Sequence, residues 1–237
     1  MASKKFKLRR AAKVLLIAIL VALSIPPAQV AFSVLWDPPF IPMRAQRRIE
    51  ARMKGKSLRE APSRWVPLKD IPENLMHYIW ASEDQAFFEH SGFDIPRIRM
   101  AIAEAKGGDA RGVSTITMQC ARSVFLWQGR SYLRKALEAY YTMWMELLMS
   151  KGRIMELYLN HIELGPGIYG IGAAAHEYFG KTPDQLTRSQ MIALAAVLPN
   201  PLKWSPVRPN ATLLRKIRRV ERLSSRAPFP SEKLRGE

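Results

Sequence analysis

The sequence contains a single cysteine, Cys120, among its 237 residues. An intramolecular disulfide is therefore impossible, and a zinc site built on cysteines lacks its ligands. His161 and His176 do not have the spacing of metal ligands, so we interpret both as structural. No internal repeat occurs, and no stretch of five or more residues alternates strictly between apolar and polar side chains. These absences predict a predominantly α-helical domain in which any sheet is small.

Acidic residues are also scarce, because the chain has 20 of them against 37 basic residues, which gives a net charge of +17. A field of this sign attracts polyanions, which include nucleic acid, anionic lipid and phosphorylated substrates. No groove-binding motif or zinc-finger spacing accompanies the charge, so no nucleic-acid partner is expected. Six of the cations lie together at the N-terminus: Lys4, Lys5, Lys7, Arg9, Arg10 and Lys13.

An uncharged stretch of 23 residues follows this basic cluster, from Val14 to Trp36. It is long enough to cross a hydrocarbon core and predicts one transmembrane helix. A cleaved signal peptide is the alternative, because the apolar core ends near Ile25 and small residues follow Pro26 and Pro27. In both cases the positive-inside rule keeps the N-terminus in the cytoplasm, so the rest of the chain is expected outside the inner membrane, in the periplasm.

The chain is thereby divided into five segments. Residues 1–13 are a basic cytoplasmic tail, 14–36 the anchor, and 37–65 a basic interfacial linker. Residues 66–208 form the main domain, and residues 209–237 form a basic C-terminal helix and tail. Within the linker, the cations from Arg44 to Lys56 suit phospholipid headgroups, so this segment is expected to lie along the membrane.

Helical spacing predicts most elements of the main domain. A helix from about Asp94 is expected to bury Ile98 and Ile102, and a later one begins after Thr187 with a capping box completed by Gln190. The last helix starts near Asn210. A long helix over 131–149 is expected to be central and well buried, because apolar residues recur along it at spacings of three and four. These residues are Leu133, Leu137, Tyr140, Trp144 and Leu148.

Two segments carry polar groups that a structural helix does not need. The first is ASEDQAFFEHSGFD, where the adjacent acids Glu83 and Asp84 cannot share one helix face. The second is RGVSTITMQCAR, where the hydroxyls of Ser114 and Thr115 precede a helix start and Arg122 follows, a set that suits a phosphate or a sugar. A solvated helix end and an ordinary N-cap are the respective alternatives.

Two further segments complete the pattern. In GRSYLRKALE, Glu138 lies four residues after Arg134 and three after Lys135. A surface ion pair at this spacing contributes only about 0.3–0.5 kcal/mol, so the acid can be there for another reason. The fourth segment, YLNHIELGPGIYGIGAAAHEYFGK, contains five glycines and three consecutive alanines, which let helices approach closely.

Together these four segments resemble the family 51 glycosyltransferases, which polymerise the lipid-linked cell-wall precursor lipid II. The resemblance covers about Val66 to Pro206, in the family's order, and includes LTRSQMIALAAVLPNPLKWSP near its end. The short form with FLWQGRSYLRK is most similar to the monofunctional biosynthetic peptidoglycan transglycosylases of Gram-negative bacteria. The penicillin-binding motifs of two-domain relatives are absent, so no transpeptidase activity is expected.

The resemblance implies a mainly α, lysozyme-like glycosyltransferase domain with a small membrane-facing jaw over about Ile95 to Arg130, preceded by the transmembrane helix. Phe125, Leu126 and Trp127 are candidates for its lipid-facing surface. The resemblance also implies that Glu83 is the general base and that Glu138 is a second essential carboxylate. The implied substrate-binding residues are Asp84, Ser114, Thr115, Gln119, Arg122, Arg130, Arg134 and Lys135.

The implied reaction joins two lipid II molecules into a β-1,4-linked glycan strand and releases undecaprenyl pyrophosphate. Lipid II, the growing strand and membrane lipids are the expected partners, together with cell-wall synthesis or division proteins. No tightly bound cofactor is expected, and assistance by Mg²⁺ or Mn²⁺ stays open. Met118 and Arg122 depart from the family's usual glutamine and lysine, which favours weaker affinity or rate. A lysozyme-like muramidase or lytic enzyme and a non-catalytic scaffold are the alternatives.

Overall fold

The computed structural model describes residues 2–105, 113–129 and 131–234. Helices dominate these ranges, and one antiparallel hairpin pairs β1 (Glu163–Gly165) with β2 (Ile168–Tyr169). The prediction of a mainly α-helical chain with a small sheet is confirmed. The helices are α1 (Ala2–Leu35), α2 (Pro42–Met53), α3 (Glu73–Glu83), α4 (Ile95–Ala105), α5 (Ile116–Phe125), α6 (Tyr132–Leu148), α7 (Lys151–His161), α8 (Ile171–Phe179), α9 (Arg188–Val197) and α10 (Ala211–Ser224), with short 3₁₀ turns at Leu68–Asp70, Pro183–Gln185 and Ser231–Leu234.

The first helix is the predicted apolar span. It continues through Pro26 and Pro27, and its part Arg9–Leu35, 27 residues long, is long and apolar enough to cross a membrane. Its C-terminal half packs against α6, where the Tyr140 hydroxyl donates a hydrogen bond to the Leu23 carbonyl at 3.0 Å. Residues 9–25 of the helix are exposed, whereas its C-terminal part contacts the body.

The core lies around α5 and α7, which pack against each other closely. Near the start of α7, a Cβ on Gly152 would collide with the backbone oxygen of Leu234, so the last 3₁₀ turn passes directly over this glycine. A second group, α3, α9 and α10, packs together on the other side. Side chains with no exposed surface in α5 and α7 include Ile116, Cys120, Val124, Ile154, Leu157 and Tyr158.

The helices α9 and α10 begin where the sequence predicts. Thr187 caps α9 and forms the capping box with Gln190, whose side-chain oxygen accepts from the Thr187 N–H at 2.9 Å. Asn210 caps α10 and accepts from the Leu213 N–H at 2.9 Å. Both predictions are confirmed, and the two helices hold the end of α3 in place.

The long helix α6 has the predicted limits, with Ser131 as its N-cap, but its predicted burial holds only in part. Leu137, Tyr140 and Trp144 are half-buried, whereas the outer two of the five predicted residues are exposed. Leu133 is 68% exposed and Leu148 is 38% exposed. The helix lies between α5 and α1, so its apolar spacing serves contact with α1 and open surface rather than a central core. Its buried positions are instead Arg134, Glu138, Tyr141, Thr142 and Met145.

The helix α4 begins at Ile95 as expected, yet the predicted burial of its apolar side chains is wrong. Ile98 is half-buried, Ile102 is 58% exposed and Met100 is 62% exposed. Among the described residues, α4 makes none of the extensive helix contacts that α5, α7 and α9 make. An amphipathic pattern predicts an apolar face but not what covers it.

The lipid-facing surface assigned to the end of α5 is also corrected. Phe125 and Leu126 are buried, and Phe125 stacks on Tyr141 with ring centroids 4.8 Å apart. Trp127 alone of the three assigned residues is exposed. Tyr141 of α6 covers one side of Phe125, which also borders a groove between α1 and α5.

The helix α2, within the basic linker, is attached to the body by side-chain pairs. Arg47 donates to both carboxylate oxygens of Glu163 at 3.1 and 2.9 Å, and Gln46 donates to the Gln128 carbonyl at 3.0 Å. Ile49 and Met53 remain exposed on its other side. Part of the predicted headgroup-binding charge is thus used to hold α2 against the hairpin.

Candidate active site

The two adjacent acids stand at the C-terminal end of α3 in different environments. Glu83 is the last helical residue and is partly exposed, whereas Asp84 is only 2% exposed. Glu83 lines a cavity of about 270 Å³ together with Arg97 from α4 and Arg219 from α10. Lys216 lies nearby, where burial lowers its pKa and the charge of Glu83 opposes that shift. Glu83 is therefore the more accessible of the two acids, although both border this cavity.

Asp84 joins the end of α3 to the start of α5. Its carboxylate accepts from the Ile116 N–H at 2.9 Å and from His90 Nε2 at 3.0 Å. The Gly92 N–H donates to His90 Nδ1 at 3.0 Å, which assigns the proton of a neutral ring to Nε2. These contacts give Asp84 the geometry of a positioning residue, although it also borders the cavity beside Glu83.

Gln119 links Glu83 to a buried tyrosine. Its amide donates to Glu83 Oε2 at 3.2 Å, and its amide oxygen accepts from the Tyr158 hydroxyl at 3.0 Å. Burial raises the pKa of Tyr158 well above its ordinary value; Glu83 acts in the same direction and Arg122 against it. Tyr158 therefore stays protonated and fixes the orientation in which Gln119 can hold Glu83.

Gln119 also lines a polar cavity of about 460 Å³. Arg122 lines it one helical turn further along α5, and no carboxylate of the described residues lies within salt-bridge distance of its guanidinium. A cation without an acidic partner beside a polar cavity can bind an anion such as a phosphate. Other lining residues are Arg47, Gln128, Tyr158, Glu163 and Asn200.

Glu138 belongs to a separate buried cluster. Its carboxylate has no exposed surface and accepts from Arg134 Nη1 and Lys135 Nζ, each at 2.6 Å. Arg134 also donates from Nε to the Gly129 carbonyl at 2.7 Å, while the Lys135 side chain is 47% exposed. None of these three side chains lines the cavity beside Glu83 or the polar cavity beside Arg122. Arg130 lies outside the described residues.

The hydroxyl of Thr115 has a structural role. It donates to the Gly92 carbonyl at 2.7 Å and accepts from the Met118 N–H at 3.2 Å, so the ordinary N-cap interpretation holds for this residue. Thr115 is 2% exposed and Met118 is 4% exposed, and neither lines the cavities beside Glu83 and Arg122. Ser114 is half-buried, and its binding role stays a prediction.

Comparison with known proteins identifies the family. The model of the transglycosylase family matches residues 50–224. This chain belongs to the transglycosylase family. A biosynthetic peptidoglycan transglycosylase of Pseudomonas entomophila (strain L48) is 44% identical over 195 residues, which cover 82% of each chain. The protein of the same description from Pseudomonas aeruginosa is 45% identical over 173 residues, covering 73% of this chain and 74% of that one.

The match confirms the resemblance drawn from the motifs and the expectation of a lysozyme-like glycosyltransferase. Two of the residues that line the polar cavity, Met43 and Arg47, precede the matched region. Both belong to α2, which contributes a wall that the motifs do not predict. The roles of Glu83, Glu138 and the predicted binding residues stay predictions.

Several residues of this site have no signal in the sequence that singles them out. Tyr158 and Asn200 lie in segments that carry the resemblance, but a tyrosine in a helix is ordinarily a packing residue. Arg47 and Glu163 are far apart in sequence and pair only through folding. Burial raises the pKa of Glu163, whereas its hydrogen bonds with Arg47 act in the opposite direction. Within the described residues, no cluster of three potential metal ligands from His, Cys, Asp or Glu occurs.

Proposed function

We propose that this transglycosylase polymerises lipid II into β-1,4-linked glycan strands, releasing undecaprenyl pyrophosphate at the outer face of the cytoplasmic membrane. The observation that supports it most directly is the hydrogen bond from Gln119 to Glu83, because Gln119 lines the polar cavity together with Arg122 and so links the base to the cation. A sugar polymerase needs a base and a cationic site for a leaving phosphate within one cleft. This arrangement supplies both.

Glu83 acts as the base in this proposal. The attacking sugar hydroxyl has a high pKa, so a positioned carboxylate must accept its proton as the new bond forms. The hydrogen bond from Gln119 occupies one Glu83 oxygen, and among the described residues the other oxygen has only the 3.4 Å contact with the Ser82 hydroxyl. In this proposal the second oxygen accepts the proton, while Asp84 fixes the end of α3.

The leaving pyrophosphate gains negative charge as the bond to the donor sugar breaks. A cation that meets this charge stabilises the transition state more than the ground state. Arg122 is placed for this role because it lines the polar cavity without a carboxylate partner among the described residues. Lys135, which is half-exposed at the start of α6, is a second candidate, and Glu138 and Arg134 set its position.

The proposed topology is a single-pass anchor, α1, with the catalytic domain in the periplasm and the N-terminus in the cytoplasm. It is supported by the basic residues before Val14 and the apolar helix that follows. Protease added to spheroplasts should digest the body. Protection of the body would reverse the topology without affecting the chemistry.

The rival activity is a muramidase acting on existing glycan. Such an enzyme needs an acid beside the glycosidic bond but no cationic phosphate site. The guanidinium of Arg122, which lines the polar cavity and pairs with no carboxylate of the described residues, therefore favours the polymerase. Purified full-length protein should convert lipid II into polymer and leave polymerised wall intact. Release of fragments from wall, with no polymer from lipid II, would establish the rival. Addition of a chelator to the same assay tests the need for Mg²⁺ or Mn²⁺.

A further inference from the structure

We propose that a groove between the end of α1 and the body binds the polyprenyl tail of the substrate. This inference rests on the proposed function, because it assigns the tail of the lipid-linked substrate to a place on the protein. The groove has a volume of about 360 Å³. Ala28 and Phe32 of α1 form one wall, Phe40 of the following loop lies at the rim, and Val124 and Phe125 of α5 form the other wall.

The groove presents mainly hydrocarbon. Two polar residues, Gln29 and Ser33, also line it, but both are engaged within the protein. The Gln29 amide oxygen accepts from the Tyr141 hydroxyl, and the Ser33 hydroxyl donates to the Gln29 carbonyl at 2.8 Å. Phe32 and Phe40 are 43% and 66% exposed, so large aromatic surface lies open beside the groove. Such a lining binds an apolar chain in preference to a sugar or a peptide.

The position of the groove along α1 places it in the membrane. A hydrocarbon core spans about 20 helical residues, so a span that begins at Val14 still lies in the apolar layer at Ala28 and Phe32. The apolar side chains from Val14 to Ile25 are exposed and would contact lipid. The occupant of the groove is therefore a lipid chain, drawn from the outer half of the bilayer.

Continuity with the polar cavity selects the substrate tail over an ordinary phospholipid. Arg122 and Ser123 line the polar cavity, and the next two residues of α5, Val124 and Phe125, line the groove. The same change occurs at the start of α2, where Pro42 lines the groove and the adjacent Met43 lines the cavity. A ligand with a pyrophosphate beside Arg122 can thus lead its chain into the groove, whereas a bilayer phospholipid has no headgroup that must enter the cavity.

The test combines a substitution that fills the groove with substrates whose polyprenyl tails differ in length. Ala28→Phe adds a ring in the groove, and Ala31→Phe is the matched control, because Ala31 is exposed on the same helix but does not line the groove. Full-length protein in detergent is assayed for kcat/KM with two lipid-linked disaccharides that differ only in polyprenyl length. If the added ring displaces about two methylene groups of the tail from the groove, kcat/KM for the long-tailed substrate should fall by about tenfold. The short-tailed substrate and the Ala31→Phe variant should change little.

The possible results separate the tail site from the proposed activity. The groove assignment would be overturned if Ala28→Phe lowered kcat/KM equally for both substrates, or if Ala31→Phe lowered it as much as Ala28→Phe. Wild-type kcat/KM of Ala28→Phe on both substrates would overturn it as well. If the wild-type protein polymerises neither substrate, the proposed function itself fails. A photoreactive side chain at Phe32 provides an independent readout. It should cross-link to the labelled long-tailed substrate. If it instead cross-links to phospholipid, and excess substrate does not displace that phospholipid, the groove does not bind the polyprenyl chain.

Discussion

Glu138 has no exposed surface, and both of its carboxylate oxygens accept charged hydrogen bonds, from Arg134 and Lys135. The Arg134 side chain is only 10% exposed, so Glu138 is its main source of compensating charge. Replacing Glu138 with glutamine leaves a buried guanidinium without a counter-charge. We therefore expect Glu138→Gln to act first on stability, before any effect on chemistry.

The magnitude follows from burial. Breaking a buried ion pair by removing one partner costs about 3–5 kcal/mol, because the remaining charge stays buried and uncompensated. Lys135 is 47% exposed, so removal of that partner in Lys135→Gln should cost only about 0–1 kcal/mol. For a chain of this size, the larger loss corresponds to a fall in melting temperature of roughly 6–20 °C.

Thermal unfolding of the detergent-solubilised full-length protein measures these differences. The double variant Arg134→Met with Glu138→Leu should recover most of the lost stability, because buried ion pairs are often replaceable by apolar side chains of similar volume. Its polymerisation should remain low if the cations of this cluster serve the reaction. A Glu138→Gln protein that unfolds at the wild-type temperature would refute the reasoning from burial.

Three further predictions concern other residues. Gln119→Ala removes the hydrogen bond that holds Glu83, and turnover should fall about 10- to 100-fold with KM little changed; an unchanged turnover would show that Glu83 needs no such support. Arg122→Ala should lower turnover about 10²–10³-fold while Arg122→Lys retains much of it, and equal activity of the two variants would exclude a charge role. Burial, with smaller effects from two arginines, lowers the pKa of His161 to about 3, so the unfolded state binds a proton that the folded state does not below about pH 6.5. Stability should fall by about 2 kcal/mol between pH 7.5 and pH 5 and continue to fall towards pH 3; His161→Gln should remove this slope and the exposed-site control His176→Gln should keep it.

Features fixed by local chemistry could be predicted from the sequence. The apolar span, the capping box at Thr187 and the cap at Asn210 each depend on a few neighbouring residues. The buried face of α6 could not be predicted, because its apolar stripe contacts α1 while Arg134 and Glu138 take the interior positions. Periodicity identifies an apolar face but not the element that covers it.

The site divides in the same way. Because two adjacent residues cannot share one helix face, the sequence predicts different environments for Glu83 and Asp84. The structure shows that Asp84 is buried and that Glu83 is the more accessible acid. The motifs point to Arg122 through its charge near a helix start. Tyr158 and Arg47 could not be predicted, because they reach the cavity through the packing of α7 and α2 rather than through any local pattern.

Glu83 is the proposed acceptor of the proton of the attacking hydroxyl, and one substitution tests this role directly. Glu83→Gln keeps the size of the side chain but cannot accept a proton, and Glu89→Gln, an exposed glutamate six residues along, is the matched control. Turnover of lipid II by the purified full-length protein should fall by about 10²-fold or more in Glu83→Gln and stay at the wild-type level in Glu89→Gln. Binding of lipid II and thermal stability should hardly change in either variant. A folded Glu83→Gln protein that polymerises lipid II at the wild-type rate would contradict the mechanism.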